Sequence, residues 1–378
     1  MAKHIRNYKK NNNKTGAGRS ASAGKKKYRI SRKGRIRLAI LVLALVLLIT
    51  LIVKACTFIR WHSPVKLTDE GYTHAKQFEN CLALNGVDLS EHQGDDVNFR
   101  KLKASGVDFV FLRAGYRGAG NGSLNVDTCF SRNVREANKV GLMVGAYYYS
   151  QATTTAEAEE EAAALLEIAD GFNFDMPLMI DYEIYPGGRL EKVIKSGTMN
   201  VASMYHDIVL AFCRKVEAAG YDSGIYANTD MFTHYMDAEL DYETNLWVAD
   251  FGSKCGLKAR YRFWQCSDSA TVGGVDIPVD HDFMYISTDG MSKIWYVEPG
   301  NKVSLEKCHV ALKRSSVKFK RRGATVKAIV TDAEGKRMRE GKDYKLSYVR
   351  NMERGTAYVI VKGINGYRDI ITAAYTIK

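Results

Sequence analysis

Pro177-Leu178-Met179-Ile180-Asp181-Tyr182-Glu183-Ile184-Tyr185 is the stretch that decides how the chain is read. A short apolar run ends in two carboxylates one residue apart. Successive side chains of a β-strand alternate between faces, so Asp181 and Glu183 leave the same one. Their Cα atoms would stand about 6.6 Å apart at the usual rise per residue. Like charges at that spacing, at the end of a buried strand, push each other's pKa apart. One carboxyl can then stay protonated while its neighbour ionises, the equipment of an acid and its ionised partner at a glycosidic bond. A half-buried strand with two polar positions at its solvated end has the same pattern, and both readings stay open on this stretch alone.

The surroundings favour the first. Apolar strands are expected at 86–90, 108–114 and 142–149 before this stretch, and at 224–228, 245–250, 262–266 and 279–285 after it. Helices are expected at 96–104, 127–140, 155–169 and 200–219, with Gly106, Gly141 and Gly220 as stops and Thr155 as a cap. Eight strands, mostly apolar on both faces, alternating with helices over about 200 residues imply an α/β fold. The expectation is an irregular (β/α) TIM-like barrel over 85–290, its later helices short or missing.

Chemistry in such barrels gathers at the C-terminal ends of the strands. Asp88, Arg113, Asp181, Glu183, Asn228, Asp250 and Gln265 fall at those ends, and Asp280 lies in the eighth strand. With Tyr148, Tyr226, Trp247 and Trp264 they would form an acidic, aromatic cup suited to a sugar. Taken singly, each aromatic is better explained by core packing; their convergence on one rim carries the sugar reading. The seven cysteines show no CxxC and no ligand-like spacing, so neither a metal site nor a cofactor is expected. Cys129 and Cys213 fall on expected helices as buried thiols, and the spacing is compatible with a Cys255–Cys266 bridge.

The two ends differ from this centre. Residues 1–37 hold 14 Lys/Arg and no Asp or Glu, while residues 38–378 hold 41 basic and 42 acidic groups, a net of −1. The overall charge of +13 is thereby assigned to a disordered tail rather than to the folded part, which sets a nucleic-acid role aside. Residues 38–53 are uncharged, and continuing to 59 gives the roughly 20 residues a bilayer core needs. Lys54 can snorkel and Trp61 would sit at the interface. The basic tail predicts a single-pass anchor at 38–59 with the N-terminus cytoplasmic and the remainder outside the cell membrane. A signal peptide cleaved near Ala55 is the rival; either way the rest is exported. Residues 60–84 read as a connector. Residues 300–378 alternate at strand period between glycines and predict a small all-β, sandwich-like domain.

Gly86-Val-Asp-Leu-Ser-Glu-His-Gln-Gly94 resembles the opening strand of the family 25 glycoside hydrolases, the Chalaropsis-type muramidases. Phe111-Leu-Arg-Ala-Gly115, Gly145-Ala-Tyr-Tyr-Tyr149, Ile180-Asp-Tyr-Glu183, Trp247-Val-Ala-Asp250, Trp264-Gln265 and Val279-Asp280 are similar to its later strands. By that likeness Glu183 is the proton donor, Asp181 its partner, and Asp88 and Asp280 complete the acidic set. The implied substrate is peptidoglycan, cut at the β-1,4 bond between N-acetylmuramic acid and N-acetylglucosamine. Asp282 stands where the family often has Asn, and Cys266 where Tyr is common. Gly341-Lys-Asp-Tyr344 and Gly363-Ile-Asn-Gly-Tyr367 resemble β-modules of Gram-positive surface proteins. Lys313, Arg314, Lys318, Lys320, Arg321 and Arg322 there are candidates to meet anionic wall polymers; a solvated basic face is the other reading. A weakly catalytic wall-binding protein and a hydrolase of another exported polysaccharide are the alternatives, and retention of both Asp181 and Glu183 argues against the first.

Overall fold

A computed structural model describes residues 31–62, 65–197, 201–236, 240, 244–288 and 302–378. The chain divides into two compact units, 1–62 and 63–378. The first contains helix α1 (Arg32–His62). The Ser31 hydroxyl accepts the Gly34 N–H at 3.1 Å, which caps it. At 1.5 Å per residue the helix is about 46 Å long. It is long and apolar enough to cross a membrane, a test that a signal sequence also passes. Helical geometry starts at Arg32, so the expectation of disorder through residue 37 is corrected over its last six positions. Residues 1–30 lie outside the described residues, as do the side chains of Lys54, Cys56 and Trp61.

The second unit holds a closed barrel. Its strands are β1 (Cys81–Leu89), β2 (Phe109–Arg117), β4 (Met143–Ser150), β5 (Leu178–Tyr182), β6 (Ser223–Asn228), β7 (Asn245–Ala249), β8 (Phe263–Ala270) and β9 (Val279–Ser287). They neighbour one another in that order and β9 returns to β1; a short β3 (Leu124–Val126) pairs only with β2. Helices α2 (Phe99–Ala104), α3 (Phe130–Val140), α4 (Thr155–Ala169) and α6 (Val201–Ala218) match expectation, while α5 (Arg189–Ser196) and α7 (Thr229–His234) were not foreseen. The cap of α4 is Thr154, whose side chain accepts the Glu157 N–H, rather than Thr155.

No helix separates β7 from β8 or β8 from β9 among the described residues. β8 still lies parallel to β7, its return made by an irregular loop, whereas β9 follows β8 directly and runs antiparallel to both β8 and β1. Seven strands therefore deliver their C-terminal ends to the mouth, and β9 delivers its N-terminal one. The expected connector is also shorter than read, because Cys81–Leu84 already pairs with β9.

Inward side chains stack from the floor up. A Cβ on Gly86 would lie 2.2 Å from the Phe109 ring, and one on Gly145 2.4 Å from Phe111. Those glycines make room for an aromatic floor in which Phe111 stacks on Trp247 at 4.3 Å and meets Phe263 edge-on at 5.0 Å.

The C-terminal region is a sandwich as expected. Short strands β10 (Val303–Ser304) and β16 (Tyr367–Arg368) pair with each other. A sheet of β12 (Ser316–Val317), β17 (Ile370–Ile377), β15 (Gly355–Gly363) and β14 (Tyr344–Val349) buries Val359, Val361 and Tyr375 in one cluster with residues of the pair β11 (His309–Leu312) and β13 (Ala328–Thr331). Val349, Ile360 and Ile370 join the barrel's core instead. Arg350 donates through its amide to Asp108 at 3.1 Å and through its guanidinium to the Ala83 carbonyl at 2.9 Å. Lys362 pairs with Asp222 at 2.8 Å. Ala83, Asp108 and Asp222 all lie at N-terminal strand ends, so the sandwich covers the barrel end opposite the mouth. Cys255 and Cys266 are free thiols, which corrects the bridge; the Cys266 thiol lies 3.2 Å from the His281 carbonyl oxygen.

Candidate active site

Five carboxyl groups meet at the mouth. Asp88 ends β1, Asp181 sits in β5, Glu183 follows it, and Asp280 and Asp282 occupy β9 two residues apart, on one face. Burial pushes Asp88 and Asp282 well above the usual carboxylate range, and Asp280 pushes both further. Burial also raises Asp181, with Glu183 raising it further and Arg113 opposing the rise. Asp280 is pushed up to about 6 by burial and by Asp268. Five such groups cannot all ionise together, so the site holds protons at neutral pH.

A hydrogen-bond chain runs through the cluster. The Gln265 amide donates to Asp88 Oδ2 at 2.8 Å, and its oxygen accepts the Tyr226 hydroxyl at 2.7 Å. Tyr226 also lies within hydrogen-bonding reach of Glu183. A Tyr226 proton directed at Glu183 would pull that group down against the upward push of its burial. Tyr226 has one proton, however, and Gln265 also takes it at 2.7 Å. Sharing of that proton lowers Glu183 less than burial raises it, so the acid stays above the ordinary carboxylate range. Asp181 Oδ1 is buried with no partner among the described residues, an acceptor open to a substrate.

Glu183 is also held through its backbone. Gln151 donates to the Glu183 carbonyl at 2.9 Å. Buried Glu161 accepts from the Gln151 amide, the Ser150 hydroxyl and, at 2.6 Å, from Arg117. Burial raises Glu161 to about 6 in spite of those donors.

The other expected contacts divide. Tyr226 and Gln265 are in the chain. Trp247 is buried beneath the acids and donates to Asp282 at 2.9 Å, so it supports the cluster instead of stacking on a sugar. Arg113 sits near Asp181 but is committed to Asp127 at 2.9 Å and Glu91 at 3.1 Å. Asn228 caps α7 by accepting the Met231 N–H, and Asp250 accepts the Gly256 N–H at 2.6 Å; both serve local backbone. Tyr148 is fully buried on the other face of β4, near Glu161 and Arg117, and Trp264 points outward to Tyr72. The residues that do approach the carboxylates are Tyr147 and Tyr149. Sequence reasoning missed them because β4 is uniformly apolar and carries no mark of which parity faces in. It also missed Asp282, although the two-residue step from Asp280 was a usable signal.

A closed α/β barrel that concentrates buried carboxyl groups at one mouth defines a glycoside-cleaving enzyme. The sequence profile of the family described as Glycosyl hydrolases family 25 matches residues 87–275, and the chain belongs to that family. It is similar to the uncharacterized protein YegX of Escherichia coli strain K12, at 25% identity over 268 residues, 67% of this chain and 91% of YegX. Among solved structures it is similar to the modular autolysin LytC of Streptococcus pneumoniae, with 24% identity and a TM-score of 0.46. That match covers 54% of this chain and 46% of LytC, so the chain spans under half of LytC's length. The spore cortex lytic enzyme SleM of Clostridium perfringens aligns over 78% of this chain and 98% of its own, at 17% identity and a TM-score of 0.48.

Proposed function

We propose that the protein is a membrane-anchored cell-wall muramidase that hydrolyses the β-1,4 bond between N-acetylmuramic acid and N-acetylglucosamine in peptidoglycan. The observation that carries the reading is the buried carboxyl cluster at the mouth, where burial holds Glu183 above the ordinary carboxylate range near an Asp181 oxygen that has no partner among the described residues. Glu183 gives its proton to the glycosidic oxygen as the C1–O bond breaks. Asp181, which burial and Glu183 raise and Arg113 draws back down, stabilises the positive charge at C1 once it is ionised. It does so by bonding to C1 or by orienting the substrate's 2-acetamido group onto it. Water then adds at C1 and its proton returns to Glu183. In this reading α1 spans the cell membrane with its N-terminus in the cytoplasm and the barrel facing the wall.

The test is digestion of purified peptidoglycan by the full chain in detergent, with new ends identified by mass spectrometry. New reducing ends on muramic acid are expected, and ends on glucosamine would overturn the bond assignment. Glu183→Gln should lose about 10²–10⁴ in rate with unchanged circular dichroism. Undiminished clearing by that variant would remove Glu183 as the acid.

A further inference from the structure

Counting charge by domain reverses what the whole-chain sum suggested. Residues 65–288 carry 19 Lys/Arg and 33 Asp/Glu, a net of −14, whereas residues 302–378 carry 19 Lys/Arg and 7 Asp/Glu, a net of +12. The near-neutral balance of the folded part therefore hides a strong polarity, and the basicity is not confined to the tail.

Six of these cations are gathered at one end of the sandwich, with most of the others elsewhere on it. Lys313, Lys318, Lys320, Arg321, Arg322 and Lys327 are exposed, and among the described residues none of them has a carboxylate within ion-pairing distance. Lys313 and Lys327 adjoin through a backbone bond of 2.8 Å, and the Phe319 amide donates to the Lys378 carbonyl. Arg354 lies 5.7 Å from the centre of the Phe319 ring, which is itself 38% exposed. Asp332, Glu334 and Asp343 lie at the opposite end, around Tyr367. An exposed phenylalanine set among unpaired lysines and arginines suits the headgroup layer of an anionic bilayer, where the ring enters the acyl boundary and the cations meet phosphate.

We propose that the Phe319 end of the β-sandwich docks on the anionic phospholipid headgroups of the membrane that α1 enters. This rests on reading α1 as an anchor and not on the glycan chemistry. The chain favours lipid over a wall polymer. Only Ser63 and Pro64 stand between the end of α1 and Val65, a reach of about 10 Å for three peptide steps. Lys66, the next residue, pairs with Glu353, the neighbour of Arg354 at the edge of the patch. The tether thus enters the folded unit beside the patch, the part of that unit with the charge to meet an anionic surface. The acidic barrel is repelled by the same surface. Its mouth opens at the end the sandwich does not cover, so docking leaves the carboxylates accessible.

The experiment uses the full chain reconstituted through its own helix into phosphatidylcholine vesicles, with or without phosphatidylglycerol. Lysines are modified with a water-soluble acylating reagent and counted by mass spectrometry. Lys313, Lys318, Lys320 and Lys327 should react roughly fivefold or more slowly when phosphatidylglycerol is present, and high salt should restore their reactivity. The variant K318E/K320E/R321E/R322E should lose that protection at Lys313 and Lys327 while cutting peptidoglycan at the wild-type rate in detergent. Equal reactivity in both vesicles overturns the proposal, as does a chain that fails to insert. Protection by a soluble glycerol-phosphate polymer but not by phosphatidylglycerol also overturns it, and assigns the patch to wall polymer. A chain that is protected yet inert on peptidoglycan sinks the muramidase reading alone.

Discussion

Neutralising Asp280 should make the protein more stable and less active. This carboxyl is pushed up to about 6 from an ordinary 3.8, first by burial and then by Asp268. The folded state thus binds its proton more tightly than the unfolded chain does. The favourable contribution is fully present below about pH 3.8 and is lost as pH rises through about 6. At pH 7 the ionised group is carried at a cost. Each tenfold change in proton affinity corresponds to about 1.36 kcal/mol, which sets a ceiling of about 3 kcal/mol on that cost. Asn is isosteric, neutral and able to donate to Asp88. Part of the strain is shared with Glu183 and Asp88, so Asp280→Asn is expected to gain about 1–3 kcal/mol. For a unit of this size that corresponds to roughly 3–10 °C in Tm. The assay is thermal unfolding of both chains in detergent across pH 4 to 7, with peptidoglycan hydrolysis measured alongside. The gain should vanish toward pH 4, where both side chains are neutral. An unchanged or lower Tm at pH 7, or a gain undiminished at pH 4, would refute the electrostatic account of the site.

Other outcomes follow from the same geometry. The rate should be bell-shaped in pH, falling on the acid side as Asp181 protonates and on the alkaline side as Glu183 ionises; a rate that keeps rising above neutral pH would contradict a protonated acid. Tyr226→Phe keeps the packing on Trp247 but removes the hydroxyl that draws Glu183 down against its burial. Its alkaline limb should therefore move to higher pH, and a downward move would show that Tyr226 does not donate to Glu183. Gln265→Leu strands both Tyr226 and Asp88, costing about 1–3 kcal/mol in urea unfolding and lowering kcat more than it raises KM. Arg117→Met leaves Glu161 buried without its cation, which should cost about 3–5 kcal/mol. It should also lower activity by loosening Gln151 beneath Glu183; full activity at unchanged stability would remove that network from the account.

Much of this was legible because the relevant patterns are local. Eight apolar runs separated by helical segments are enough to close a barrel, and Asp181 with Glu183 marks its own strand face, since charge tolerates only the mouth. The extra carboxyl of Asp282 and the missing late helices could be read the same way. Other features belong to the tertiary structure. Period two says that a strand has two faces but not which one is inside, and β4, apolar throughout, left Tyr148 and its neighbours Tyr147 and Tyr149 indistinguishable until the barrel closed. Trp247, Arg113 and Asn228 were at the expected strand ends, but only packing showed a buried donor, a committed ion pair and a helix cap. The direction of β9, the covered end of the barrel and the gathering of cations around Phe319 likewise come from contacts between residues far apart in the chain. Composition sums over them, whereas electrostatic energy depends on which charges stand next to each other.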